Sequence, residues 1–242
     1  MLNAEAGRYS SDIDLFSDRE EALFQVVTRD ETSLGKSGLS VEWKRRDPAF
    51  YRAVVSAGGA ATAIDWAVDS DYRFFPTERD EVFGYRLHAT DLATNKILAA
   101  ADRSEPRDIL DLVTISETIL PLGAVAWAAA EKSPGRSPDM IVGELRARAK
   151  LRQEQVDAEN VRGPVDAGDL NNWLRRECGQ ALEWIGSIPP PFEFGLFINR
   201  GGAWGAPDFR REDHGNWRIH TGSTQAPGRV SGRPHPKFPA RC

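Results

Sequence analysis

Two aspartates separated by one apolar residue, Asp12 and Asp14 around Ile13, are the sharpest chemical feature of this 242-residue chain. In a strand, residues i and i+2 share a face, so the two carboxylates stand side by side while Ile13 turns into a core. Hard cations such as magnesium take oxygen ligands, and one or two carboxylates suit a magnesium ion that also binds nucleotide phosphates. The tripeptide Asp-x-Asp is common, and its plainer reading is a solvent-facing strand with ordinary acids. The surrounding string is Arg8-Tyr9-Ser10-Ser11-Asp12-Ile13-Asp14-Leu15-Phe16.

The elements that would position this pair read as α/β. Residues 11–16 predict a strand. Residues 18–27, rich in Glu, Ala and Leu after the N-cap candidate Ser17, predict a helix. Residues 39–44 alternate, with Leu39, Val41 and Trp43 on one face, and predict a second strand. Residues 50–56 and 61–68 predict two more, joined by a hairpin turn at Gly58 and Gly59. Residues 83–87 predict a fifth. From Thr90 the pattern turns helical: residues 90–102, 107–116, 121–132, 137–151 and 168–185 each predict a helix, the last ending before Pro189, Pro190 and Pro191. From Asn199 the chain is rich in Gly and Pro, and little regular structure is expected. The organisation expected is a catalytic core over residues 1–89, a helical region over 90–198 that completes the active site, and a basic tail over 199–242.

A second block reads Asp91-Leu92-Ala93-Thr94-Asn95-Lys96, then Arg103, then Arg107-Asp108-Ile109-Leu110-Asp111. A lysine ammonium is a compact point charge that neutralises phosphate well. The competing readings are a solvated helix lysine at Lys96, and a helix cap or structural ion pair with Arg103 or Arg107 at Asp108.

The Ser-Asp-Ile-Asp-Leu-Phe string resembles the active-site strand of polymerase-β-like nucleotidyltransferases. The order of Asp-x-Asp, then Asp-Leu-x-x-x-Lys, then Arg-Asp-x-x-Asp resembles the AbiEii/AbiGii nucleotidyl transferase toxin family, over about residues 7–198. The resemblance implies a nucleotidyltransferase-like mixed sheet with flanking helices. It implies Asp12 and Asp14 as magnesium ligands, with a third carboxylate from a neighbouring strand, for which Asp65 in Ala63-Ile64-Asp65-Trp66 is the natural candidate. Three such carboxylates can hold two metals that stabilise the attacking and leaving oxygens of an in-line displacement. The resemblance makes Lys96 the triphosphate contact, adds Asp108 to the catalytic set, and puts Ser10, Ser11 and Arg103 at the nucleotide. It implies transfer of a nucleotide from an NTP to an acceptor hydroxyl, on RNA such as tRNA. The chain would be a toxin of a toxin–antitoxin or phage-defence system, held in check by an antitoxin protein. A toxin that modifies protein shares the same site.

The resemblance further implies a Gly-Gly or Gly-Ser turn opening a helix upstream of the aspartates. Only 11 residues precede Asp12, and Leu2-Asn3-Ala4-Glu5-Ala6 looks like the tail of that helix, so an N-terminally truncated chain is expected. The alternative function is then a catalytically inactive binding protein that keeps the fold.

Bulk properties agree with a cytoplasmic protein. The hydrophobic fraction is 40% and the net charge −5, so a whole-surface grip on nucleic acid is not expected. Cys178 and Cys242 are too few for a disulfide framework. No apolar run reaches the ~18 residues that span a bilayer; residues 119–130 read as a buried helix. The tail sets eight Arg or Lys against three acids, with Trp204, Phe209 and Trp217 interleaved, a pattern that fits either RNA contact or a solvated end. His88 reads as structural, as does Cys178. His214, His220 and His235 lack metal spacing. No catalytic triad or P-loop is present.

Overall fold

The computed structural model describes residues 12–17, 20–70, 72–103, 105–211 and 214–224. The chain falls into two compact units, one formed by Ser10–Asp71 and the other including Tyr72 onward. The boundary anticipated at residue 89 lies inside the second unit.

The first unit is a four-stranded mixed sheet with one helix. Its strands are β1 (Asp12–Ser17), β2 (Ser40–Asp47), β3 (Phe50–Ala57) and β4 (Ala60–Val68), in the order β1-β4-β3-β2. β1 runs parallel to β4, whereas β2, β3 and β4 form an antiparallel meander. The β3–β4 hairpin closes on Gly58 and Gly59, with φ of 56° and 84°, because a two-residue turn that matches strand twist needs positive φ at both positions. Ile13 and Leu15, Ala53 and Val55, and Ile64 and Trp66 alternate onto one face and join a core with Leu23 and Val27. Those two residues are one turn apart on α1 (Glu20–Lys36). Trp66 Nε1 donates to Asp30 at 3.0 Å and Trp43 Nε1 to Glu31 at 2.7 Å, so each indole satisfies its polar end on the helix that covers it.

α1 continues well past the expected end at residue 27. Its second half contains Thr28, Thr32 and Ser33, residues that compete with the helical backbone. Here each donates its hydroxyl to the carbonyl four residues earlier, a bond that the helix geometry itself provides. The helix stops at Gly38, whose φ is 76°. The Leu39 N–H returns to the Leu34 carbonyl at 3.1 Å, the long bond of a Schellman-type end.

The second unit opens with a small hairpin of β5 (Glu78–Asp80) and β6 (Gly84–Arg86), where a single strand over 83–87 was expected. Asp80 makes the difference: its Oδ1 accepts from the Val82 and Phe83 N–H groups, at 2.9 Å each, and folds the chain back. Helices α2 (Ala89–Asp102), α3 (Pro106–Thr118), α4 (Leu122–Lys132), α5 (Pro138–Ala147), α6 (Gln153–Asp157) and α7 (Ala167–Gly186) follow. Every residue of α4 from Leu122 to Ala130 is buried, and its alanines let helices approach closely. A Cβ on Gly123 would lie 3.0 Å from the Trp184 ring and 3.2 Å from the Ala181 backbone, so α4 and α7 meet closely at a position that favours glycine. No single described helix is long and apolar enough to cross a bilayer.

The helix expected over 137–151 ends early, at Ala147, and α6 begins beyond that range at Gln153. Asn171, on α7, accepts from the Leu151 N–H and donates to the Leu151 carbonyl, both at 2.9 Å. Arg175 donates to the Ala149 carbonyl at 2.7 Å. Side chains from α7 thus satisfy the backbone groups that would otherwise continue the helix. The tail also departs from expectation. β7 (Leu196–Asn199) pairs antiparallel with β8 (Trp217–His220). Trp204 is buried, and Phe209 packs its ring on Phe197 and Trp184 at 5.4 and 5.9 Å between centroids. Two of the three aromatic residues considered for RNA stacking are therefore packed inside the unit. Cys178 is buried, which pushes its thiol up to about 12.

Asn171→Leu keeps the volume but leaves both Leu151 backbone groups buried without a partner, and is expected to lower the unfolding free energy by about 3 kcal/mol in urea titration. A loss under about 1 kcal/mol would show that the α5–α6 break stands without this side chain.

Candidate active site

β1 and β4 pair in register, with Asp12 beside Ala63, Asp14 beside Asp65 and Phe16 beside Ala67. Partner residues share a face, so Asp12, Asp14 and Asp65 all stand on the side of the sheet away from α1. β3 extends this face, because Arg52 pairs with Asp65. β2 extends it further through a bulge. The register shifts between Trp43 and Arg45, and the extra residue keeps Trp43 on the core face while placing Arg45 opposite Arg52. One rung of the sheet therefore reads Asp14, Asp65, Arg52, Arg45 across all four strands.

Arg52 is the residue that the sequence did not announce. Its Nε donates to Asp65 Oδ1 at 2.7 Å and its Nη2 to Asp65 Oδ2 at 2.8 Å, a bidentate, charge-assisted pair. Asp65 is 8% exposed, and a carboxylate so placed needs a charge partner. The bond to Asp65 raises the Arg52 affinity for its proton; burial opposes this, and the charges of Asp65, Asp12 and Asp14 reinforce it. The guanidinium thus sits in the field of all three aspartates. A hint lay in the run Phe50-Tyr51-Arg52-Ala53-Val54-Val55, where one arginine interrupts an apolar strand.

Among the described residues, no group of three or more His, Cys, Asp or Glu is placed to hold a metal ion. Asp12 and Asp14 supply hard oxygen donors on one face of an edge strand, a donor set that fits magnesium completed by substrate phosphates and water. Asp65, expected as the third ligand, gives both carboxylate oxygens to Arg52. Ser10 and Ser11 lie outside the described residues.

The other expected residues meet in the second unit. Lys96, on α2, places Nζ 3.1 Å from Asp108 and 2.9 Å from Asp111 on α3. Arg103, which caps the end of α2, donates Nε to Asp108 at 2.7 Å and Nη2 at 3.1 Å. Asp108 is fully buried. Burial alone would push its carboxyl up, but the Arg103 bonds and the Lys96 charge outweigh this and hold it below the usual carboxylate range. The structure thus brings Lys96, Arg103, Asp108 and Asp111 together. Asp91, from the same sequence block, is committed to structure: its buried carboxylate accepts from the Phe74 and Phe75 N–H groups at 2.9 and 3.1 Å and pairs with Lys132 at 3.5 Å.

No family model matches the chain, and no curated protein matches it. Among solved structures, the chain is similar to the nucleotidyltransferase toxin MenT4 from Mycobacterium tuberculosis. The two are 15% identical over 73% of this chain and 70% of that one, with a TM-score of 0.49.

His88 is confirmed as structural. It is 2% exposed, packs between Phe75 and Trp204, and its ring accepts from the Thr90 N–H to cap α2. Burial lowers its pKa to about 4, with Asp91 opposing and Arg86 and His220 adding to the effect. A histidine whose folded value lies below its unfolded one contributes stability above the unfolded value and loses it as pH falls. Between about pH 7 and about pH 5, His88 is expected to cost about 2 kcal/mol of unfolding free energy. His88→Asn, which retains a capping acceptor, should flatten that slope by the same amount in urea titrations at the two pH values.

Proposed function

We propose that this chain is a magnesium-dependent nucleotidyltransferase. The observation that carries the reading is the placement of Asp12 and Asp14 on one face of β1, away from α1, with Asp65 in register on β4. Two adjacent carboxylates on a rigid strand suit chemistry at phosphorus, where catalysis consists mostly of positioning and charge stabilisation. Asp12 and Asp14 hold magnesium, which, when bound, supplies charge neutralisation at the phosphates. An acceptor hydroxyl attacks the α-phosphorus of an NTP. The new bond joins that oxygen to phosphorus, the bond to the β-phosphate oxygen breaks, pyrophosphate leaves, and the hydroxyl proton passes to water.

The AbiEii/AbiGii resemblance supplies the finer reading. Lys96 neutralises the triphosphate, and Asp108 with Arg103 orients Lys96 through the bonds described above. The acceptor is RNA such as tRNA. The chain acts in the cytoplasm as a toxin, in a toxin–antitoxin or phage-defence system, restrained by a cognate antitoxin.

Calorimetric titration of each NTP with magnesium, into the wild type and the Asp12→Ala/Asp14→Ala variant, tests the site. One NTP should bind the wild type, and binding should vanish in the variant with the circular dichroism spectrum unchanged, because these side chains contribute little to the core. Equal binding in both proteins would overturn the assignment. A folded wild type that binds no NTP would favour an inactive nucleotidyltransferase-fold binding protein.

A further inference from the structure

Arg52 already bonds the carboxylate that was expected to help hold a second metal. Its guanidinium takes both oxygens of Asp65, and Asp65 is the one carboxylate of the three that is buried. Without a partner, that buried charge would be costly and would repel Asp14, its direct neighbour across the β1–β4 ladder. A guanidinium remains protonated at any working pH and matches a carboxylate in two parallel bonds. A divalent ion reaching Asp65 must share the carboxylate with that guanidinium and sit beside a fixed cation.

We propose that Arg52 is a built-in counter-cation. It withdraws Asp65 from metal binding and leaves Asp12 and Asp14 to hold a single divalent ion. It also keeps a fixed positive charge on the same rung, where it can meet a nucleotide phosphate. Asp65 is then a positioning residue for Arg52 and not a ligand. The inference rests on the nucleotidyltransferase reading of Asp12 and Asp14 and deepens it. The β-bulge at Lys44 fits the same role, because it sets Arg45 next to Arg52 and extends the positive half of the rung. Arg45 is itself held by Asp47 and lies over the Phe50 ring at 5.1 Å.

Electron paramagnetic resonance of Mn2+ titrated into the full chain tests this by a readout other than turnover. The wild type should bind one Mn2+ per chain. Asp65→Asn should still bind it, whereas Asp12→Asn should not. Arg52→Gln removes a positive charge roughly two strand spacings, about 10 Å, from the aspartate pair. It should therefore tighten Mn2+ binding by about threefold to tenfold and admit a second ion at Asp65. Arg52→Lys, which keeps the charge, should bind Mn2+ as the wild type does. Loss of a merely structural residue would weaken the metal, so the sign of the Arg52→Gln effect is decisive. The double variant Arg52→Gln/Asp65→Asn leaves no lone charge to unfold the sheet and should bind one ion.

Two ions in the wild type, loss of binding in Asp65→Asn, or weaker binding in a folded Arg52→Gln would each overturn the Arg52 proposal while leaving Asp12 and Asp14 as ligands. A folded wild type that takes up no Mn2+, or an Asp12→Asn variant that binds as well as the wild type, would overturn the nucleotidyltransferase site and this proposal with it.

Discussion

Parallel pairing of β1 with β4 sets Asp14 beside Asp65 and Ile13 beside Ile64, and the rest of the Ser10–Asp71 unit is tied to that register. A strand alternates faces with a period of two. A slip of one residue would turn Asp12 and Asp14 into the core beneath α1 and expel Ile13 and Leu15. The penalty for burying two carboxylates against Leu23, Val27 and Trp66 is what makes the register unique. The same apolar–polar division that folds the unit therefore also gathers its aspartates. The bulge in β2 follows from the division as well. Trp43 belongs to the core, where its ring lies 5.6 Å from that of Trp66, and an extra residue after it lets Arg45 join the charged face.

The second unit faces a different constraint, because it buries charges inside a helical core. Asp108 and Asp91, the most deeply buried of its described acids, are compensated by different devices. Asp108 has a bidentate guanidinium and an ammonium. Asp91 has two backbone N–H groups and Lys132. Lys132 also donates to Asn95 at 2.6 Å. A buried acid left alone would cost several kcal/mol, so these networks constrain how α2, α3 and α4 can pack. Asp91 and Asp108, both from the block quoted in the sequence, do different work. Asp91 closes the chain preceding α2, whereas Asp108 organises the cations around it.

What could be read from the sequence was local. Asp12-Ile13-Asp14 within an apolar strand, the Gly58-Gly59 hairpin and the spacing of Lys96 from Asp108 all lie within a few turns of their neighbours, and all appear where expected. Arg52 was not legible, because its meaning depends on a partner 13 residues away, across a hairpin whose register had to be known. The break between α5 and α6 depends on Asn171, twenty positions beyond Leu151, so the 137–151 pattern alone reads as continuous helix. β8 was hidden for the same reason. Residues 217–220 are surrounded by glycine and proline, and only pairing with Leu196–Asn199 makes them a strand. The length of α1 was missed through propensity: Thr28, Thr32 and Ser33 weaken an isolated helix, but Leu34 reaches the same core as Leu23 and Val27, and burial outweighs the few tenths of a kcal/mol that such residues cost.

The proposed function asks a lysine tied to two acids to serve a phosphate as well. An ammonium has three N–H donors in a rotatable head. Asp108 and Asp111 take two of them, and the Lys96 side chain is 24% exposed. A phosphate oxygen can therefore be met by the third donor with both acids in place. The acids do not cancel this capacity. They fix the head of a long side chain that would otherwise lose rotamer freedom on binding a ligand. Arg103 matters for the same reason: by taking both oxygens of Asp108 it holds that carboxylate in one orientation, and Lys96 is oriented through it. Under the proposed function, a lysine prepared in this way would offer its charge to a phosphate with the ordering cost already met when the chain folds.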